Sequence, residues 1–147
     1  MGNGAAALSA ARAIRRVRPD DEVTIVSQEP LPAYSPVLLP HLLEGRVSQR
    51  DVFLCERIAY REWGVRALLG RRAVALDPAA RRVVLEDGSV LSYDRLLIAT
   101  GSQVVRPPVP GAAQEGVHAL RTLQDARALA LGLQGAARVA LVGGGLV

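Results

Sequence analysis

The 147-residue chain has no lysine, one cysteine, two histidines and five aromatic residues. No apolar run approaches the roughly 20 residues that a membrane-spanning helix needs. Each shortage removes a class of function. Cys55 alone can form neither an intrachain disulfide nor a C-x-x-C centre. His41 and His118 stand too far apart in sequence for a metal-ligand spacing, so no metal site is expected. Positive charge comes from 18 arginines against 14 acids, a net charge of +4. The arginines are scattered as pairs (Arg15-Arg16, Arg71-Arg72, Arg81-Arg82) and singles. Without a basic run, and with few rings to stack on bases, nucleic acid is not an expected partner. Met1 is followed by Gly2 and Asn3 rather than by basic residues and an apolar core, so no signal peptide is expected. A soluble cytoplasmic protein without membrane association is the expectation. Half of the residues are hydrophobic, enough for a core in one domain of ordinary size.

What the chain does have stands at its two ends. Met1-Gly2-Asn3-Gly4-Ala5-Ala6-Ala7 is a G-x-G-x-x-A dinucleotide fingerprint. Gly2 permits the tight turn, Gly4 lets a pyrophosphate approach the backbone, and Ala7 allows close packing of helix on sheet. The pyrophosphate would sit on the helix N-terminus, where free N–H groups and the dipole favour anions. The same residues also suit a plain Gly- and Ala-rich start. Such a turn follows a buried strand, and none precedes it here. Val139 to Val147 reads as another strand entering a second glycine turn at Gly143-Gly144-Gly145. The expectation is a piece of a larger two-nucleotide enzyme, its first strand missing.

Between these ends the pattern alternates helix and strand. Gly4 to Val17 reads as a helix, ended by Pro19-Asp20-Asp21, and Glu22 to Ser27 as a buried strand. Glu29 follows that strand, where a carboxylate can accept hydrogen bonds from ribose hydroxyls and disfavours a 2′-phosphate, so FAD or NAD suits the site better than NADP. A solvated loop acid is the plainer alternative. Pro30 and Pro32 mark a loop; Val37 to Glu44 reads as a short helix kinked near Pro40, and Cys55 to Trp63 as another closed by Gly64. Val65–Leu69, Ala73–Leu76, Arg82–Leu85 and Ser89–Leu91 read together as an antiparallel meander. Arg95 to Thr100 reads as a buried strand, Leu123 to Leu133 as a helix and Ala137 to Val142 as a strand.

The segment Tyr93-Asp94-x-Leu96-Leu97-Ile98-Ala99-Thr100-Gly101, followed by Pro107-x-x-Pro110-Gly111, is more specific than the glycine fingerprint. Add Glu29-Pro30, Tyr34-Ser35, Leu85-Glu86-Asp87-Gly88, Leu120-Arg121-Thr122-Leu123-x-Asp125-Ala126 and Val142-Gly143-Gly144-Gly145, and the whole chain resembles, in order, the N-terminal part of FAD-dependent pyridine nucleotide–disulfide oxidoreductases. More narrowly, it resembles the branch with NAD(P)H-dependent ferredoxin, rubredoxin and nitrite reductases. The resemblance implies an α/β fold: a three-layer Rossmann-like FAD-binding domain with a parallel sheet and an inserted antiparallel β-meander, truncated before its first strand. It implies a partial FAD domain over 1–111, a connection with a helix over 112–136, and the start of an NAD(P)-binding domain over 137–147.

The resemblance also implies roles. Gly2, Gly4, Ala5 and Ala7 would hold the FAD pyrophosphate, and Glu29 the adenosine ribose. Val74 would meet adenine through its backbone. Ala99, Thr100 and Gly101 would lie beside the FAD. Arg121 would approach the cofactor or else be a surface charge, and Gly143 and Gly145 would begin the NAD(P)H site. The implied activity is hydride transfer from NAD(P)H to FAD and electron delivery to an external acceptor, with a small electron-carrier protein as partner and an oligomer compatible. The 147 residues alone are expected to be inactive. An NADH oxidase, an amino-acid dehydrogenase subunit or a non-catalytic binding module are the alternatives.

Two departures matter. Many relatives carry Arg where Pro36 follows Tyr34-Ser35, so one phosphate contact is lost or supplied otherwise. No cysteine lies in Ala33 to Leu43, where relatives with thiol chemistry carry theirs, and Cys55 reads as an ordinary small residue. Dithiol chemistry is therefore disfavoured. His41 reads as a helix residue rather than a base, and no catalytic side chain is assigned.

Overall fold

The computed structural model describes residues 1–143, which fall into two units. The first comprises Met1–Ser35 and Gln49–Ser102; the second comprises Pro36–Ser48 and the chain from Gln103 onward.

The first unit is built on a parallel pair. Helix α1 (Ala5–Val17) leads into β1 (Val23–Ser27), and a short helix α3 (Arg57–Glu62) leads into β2 (Val65–Leu69). The two strands run parallel in register, from Val23↔Val65 to Ser27↔Leu69. Neighbouring strand residues point to opposite faces, and β1 buries both: Ile25 and Val26 are each covered. Ile25 packs with Leu8 and Ala11 of α1, Tyr60 of α3, Ala33 and Val65. Val26 packs on the other side with Val83 and Leu85. Those two residues belong to a three-stranded antiparallel sheet of β3 (Ala73–Asp77), β4 (Arg82–Leu85) and β5 (Val90–Ser92), with β4 central. Helices, parallel strands and meander thus form three layers.

α1 ends where its sequence says it should. Arg15 and Arg16 occupy the last turn, favourable for the helix dipole. The Arg15 guanidinium donates to the carbonyls of Trp63 (2.8 Å) and Gly64 (2.6 Å), and to those of Pro19 (3.0 Å) and Asp21. Arg12 lies over the Trp63 ring at 5.4 Å.

The second unit contains a 3₁₀ turn (Pro36–Leu38), α2 (Leu39–Leu43) and α4 (Leu123–Gly132); α2 lies against α4, and Leu39, Leu123 and Ala126 are buried. α4 opens on a capping box: Thr122 Oγ1 accepts from Asp125 N–H (3.1 Å) and Asp125 Oδ2 accepts from Thr122 N–H (2.8 Å). Pro40 stands in the first turn of α2, where its missing N–H costs nothing, so it starts that helix rather than kinking it.

Three more sequence expectations need correction. Val65–Leu69 is no part of the meander: it joins β1 in the parallel sheet, and Gly70 (φ +73°) separates it from β3. The expected strand Arg95–Thr100 does not form; within it Leu96–Thr100 is irregular, and Leu97 and Ile98 are 52% and 60% exposed. Among the described residues its backbone hydrogen-bonds with Met1, whose amine donates to Leu97 O (2.6 Å) and whose carbonyl accepts from Ala99 N–H (2.8 Å). A ladder needs a partner of several residues, and one residue cannot supply it. Ala137–Val142 is likewise irregular and exposed, with no strand beside it among the described residues. No helix among the described residues is long and apolar enough to cross a membrane.

Candidate functional site

The site grows from the turn ahead of α1. Gly2 donates to Val26 O (2.8 Å), which sets the turn beside β1. Its φ of +103° suits glycine. A Cβ there would lie 2.0 Å from Ala99 O and 3.0 Å from Thr100 N, so only glycine lets the turn meet Leu96–Thr100 so closely.

Gly4 caps α1 with an extended backbone and no side-chain hydrogen bond, and the first turn holds no acid. The leading amides of α1 are therefore left to whatever lies in front of them. A Cβ at Gly4 would meet nothing within 4 Å: the space ahead of the helix is open. Ala5 is exposed toward it, whereas Ala7 is buried, as a close helix–sheet contact requires. A positive dipole end, amides without a side-chain cap and open space together can serve as an anion cradle.

Glu29 stands two residues beyond β1. Its carbonyl accepts from Gly70 N–H (3.0 Å), and its carboxylate accepts from the Tyr34 hydroxyl (2.7 Å). Tyr34 is buried and stacks edge-on to Phe53 at 6.3 Å. The carboxylate is thus held from one side at the end of a strand, in a half-buried place. That donor set fits a ligand carrying both a pyrophosphate and a diol.

The remaining predicted residues distribute unevenly. Gly2, Ala99 and Thr100 are brought together at one edge, with Gly101 (φ +71°) following. Val74 is 55% exposed on β3. Arg121 and Gly143 belong to the second unit. Arg121 donates its backbone N–H to Asp125 Oδ2 (3.1 Å) just ahead of α4, and Gly143 is exposed at φ +100°. Gly145 lies outside the described residues. No group of three or more potential metal ligands occurs among the described residues.

Sequence reasoning assigned no role to three residues that the structure places around this site. The buried Tyr60 hydroxyl donates to Asn3 Oδ1 (2.8 Å) and accepts from Ala33 N–H (2.9 Å), and Asn3 Nδ2 donates to Leu31 O (3.1 Å). Tyr34 supports Glu29. Burial pushes the Tyr60 phenol up to about 12, with the neighbouring Cys55 thiol adding to the rise, so its hydroxyl keeps its proton. The one available signal was a polar Asn inside an otherwise Gly/Ala fingerprint.

A family model described as pyridine nucleotide-disulphide oxidoreductase matches residues 1–147. The chain is 33% identical over 147 residues to the assimilatory nitrate reductase electron transfer subunit of Bacillus subtilis, a match covering 99% of this chain and 19% of that protein. It is 34% identical over 147 residues to the ferredoxin–NAD(+) reductase component of the biphenyl dioxygenase system of Paraburkholderia xenovorans, covering 100% of this chain and 36% of that one. Among solved structures, NADH:rubredoxin oxidoreductase from Clostridium acetobutylicum matches with a TM-score of 0.77 at 22% identity, over 91% of this chain and 34% of that one, a likeness of fold. The chain spans 19% and 36% of the length of these two curated relatives.

Proposed function

Because the chain belongs to the pyridine nucleotide-disulphide oxidoreductase family, we propose that it carries the adenosine-diphosphate end of an FAD site. The enzyme would be a flavoprotein reductase that takes hydride from NAD(P)H and delivers electrons to an external acceptor. One observation carries the reading: the open, uncapped N-terminus of α1 at Gly4 beside a strand that ends at the Glu29 carboxylate. Gly2 shapes the turn with its N–H on Val26 O, the leading amides of α1 from Gly4 through Ala5 to Ala7 hold the pyrophosphate, and Glu29 accepts from the ribose hydroxyls. Val74 offers its backbone to adenine. Ala99, Thr100 and Gly101 line the edge that the fingerprint turn approaches. Arg121 supplies positive charge, and Gly143 and Gly145 begin the nicotinamide-nucleotide site. Bound FAD supplies the two-electron chemistry; the chain supplies binding, orientation and charge.

The family name carries a disulphide, yet Cys55 is the chain's one cysteine and its thiol borders Tyr60. Within this chain no dithiol can relay electrons, which favours direct delivery to a carrier. The net charge of +4 suits an acidic electron-carrier protein. Of the two similar proteins described above, one is named as an electron transfer subunit and the other as a ferredoxin–NAD(+) reductase component.

Titrating the apoprotein with FAD tests the site. Glu29→Ala should weaken FAD binding by about 1–3 kcal/mol, the cost of unpaired ribose hydroxyls. Unchanged affinity would remove Glu29 from the site. A wild-type protein that takes up no FAD would end the reading.

A further inference from the structure

The phosphate turn and the carboxylate loop are separate stretches of chain, and a dinucleotide site works only if their spacing is fixed. Tyr60 fixes it. Its ring is buried in the core cluster with Leu8, Ala11, Ile25, Ala33 and Val65, edge-on to Trp63 at 6.1 Å. From there its hydroxyl reaches both stretches: it donates to Asn3 in the fingerprint and accepts from Ala33 N–H in the loop that follows Glu29. Asn3 closes the circuit through Leu31 O. The far side of the loop is pinned independently, with Leu54 N–H on Ala33 O (2.8 Å) and Ser35 N–H on Val52 O (2.8 Å). Every polar group in the circuit is paired, and no buried side-chain polar atom among the described residues lacks a partner. Satisfied buried networks of this kind specify one arrangement, because each alternative leaves a buried group unpaired.

We infer that Asn3 and Tyr60 are positioning residues that lock the Glu29–Ala33 loop to the phosphate turn and so set the affinity for the adenosine-diphosphate half of the cofactor. Neither side chain need touch the ligand. Tyr60 acts through Ala33 and Asn3, and Asn3 through the loop carbonyl at Leu31. The inference rests on the dinucleotide site proposed above.

The test uses the holoenzyme and its apoprotein, with Tyr60→Phe, Asn3→Ala and the double variant. Each single change should raise the FAD dissociation constant by about three- to tenfold, the loss of one or two hydrogen bonds. The double variant should be no worse than the weaker single, because the two residues act as one unit. The loss should fall on one half of the ligand. Competition by ADP should weaken by the same factor, and FMN affinity should not change. A merely structural role would lower the unfolding midpoint while leaving ADP and FAD affinity unchanged, and that result overturns the inference. So does an equal loss for FMN and ADP. Should Tyr60→Phe fail to fold, Asn3→Ala, which truncates a partly exposed side chain, decides the matter alone. A wild-type apoprotein that binds neither FAD nor ADP overturns the dinucleotide reading and this inference with it, whereas normal wild-type binding with indifferent variants overturns only the lock.

Discussion

Two five-residue stretches of similar apolar character behave in opposite ways. Val23–Ser27 is a strand matched residue for residue with Val65–Leu69, its Ile25 and Val26 buried on opposite faces. Leu96–Thr100 is irregular, hydrogen-bonded to Met1 among the described residues, with Leu97 and Ile98 largely in solvent. Their compositions do not separate them; their neighbours do. A strand's stability lies in cross-strand pairs and covered faces, not in its own residues.

The sharpest way to break that comparison is to truncate the same residue type in both places. Ile25→Ala should cost about 2–4 kcal/mol, as for a buried isoleucine whose cavity cannot collapse. Ile98→Ala should stay within about 0.5 kcal/mol. Urea unfolding measures both, and equal losses would put Leu96–Thr100 in the core.

A smaller effect probes the one place where the two stretches meet the same turn. Gly2→Ala adds a methyl where Ala99 O lies 2.0 Å away and forces φ +103° on a residue with a side chain. It should cost about 1–3 kcal/mol. Gly4→Ala, in open space at φ −93°, should leave stability within about 0.5 kcal/mol while crowding the anion cradle. Thermal unfolding of the two variants decides. If they are alike, the turn does not hold Leu96–Thr100.

The smallest effect appears only in alkali. Tyr60 ionises near 12 in the fold against 10.0 when free. Its raised value contributes stability that is fully present below pH 10 and is lost as pH rises toward 12. A tyrosinate absorbance titration should contain a late step, toward pH 12, that Tyr60→Phe removes. Tyr60→Phe should flatten the alkaline fall in stability. A titration with no late step, unchanged by Tyr60→Phe, would place Tyr60 in solvent and separate it from the covered side of β1.

What could be read in advance follows the same division. α1 and β1 were legible because their signals are local: helix formers with apolar spacing, then a β-branched run after Pro19-Asp20-Asp21. The short runs Ala73–Leu76, Arg82–Leu85 and Ser89–Leu91 likewise marked the meander. The membership of Val65–Leu69 was not legible, since a parallel partner lies across a long crossover and leaves no mark in either stretch. Leu96–Thr100 was overread because burial was assumed from hydrophobicity. In the site, the glycines and Glu29 stand at informative spacings. The Asn3–Tyr60 bond joins residues 57 positions apart, and no spacing rule reaches that far.

Arg15 has a consequence for the order in which this unit assembles. Two of its carbonyl partners, Pro19 and Asp21, are four and six positions away, whereas Trp63 and Gly64 are 48 and 49 away. The near pair can form as soon as α1 does. They hold a rigid, permanently charged fork in its final attitude before the distant turn arrives. Closing the long loop that brings β2 beside β1 is the slow, entropically costly event. Arg15 is a catch already set when that event happens, so the returning chain has only to find it, not to organise it.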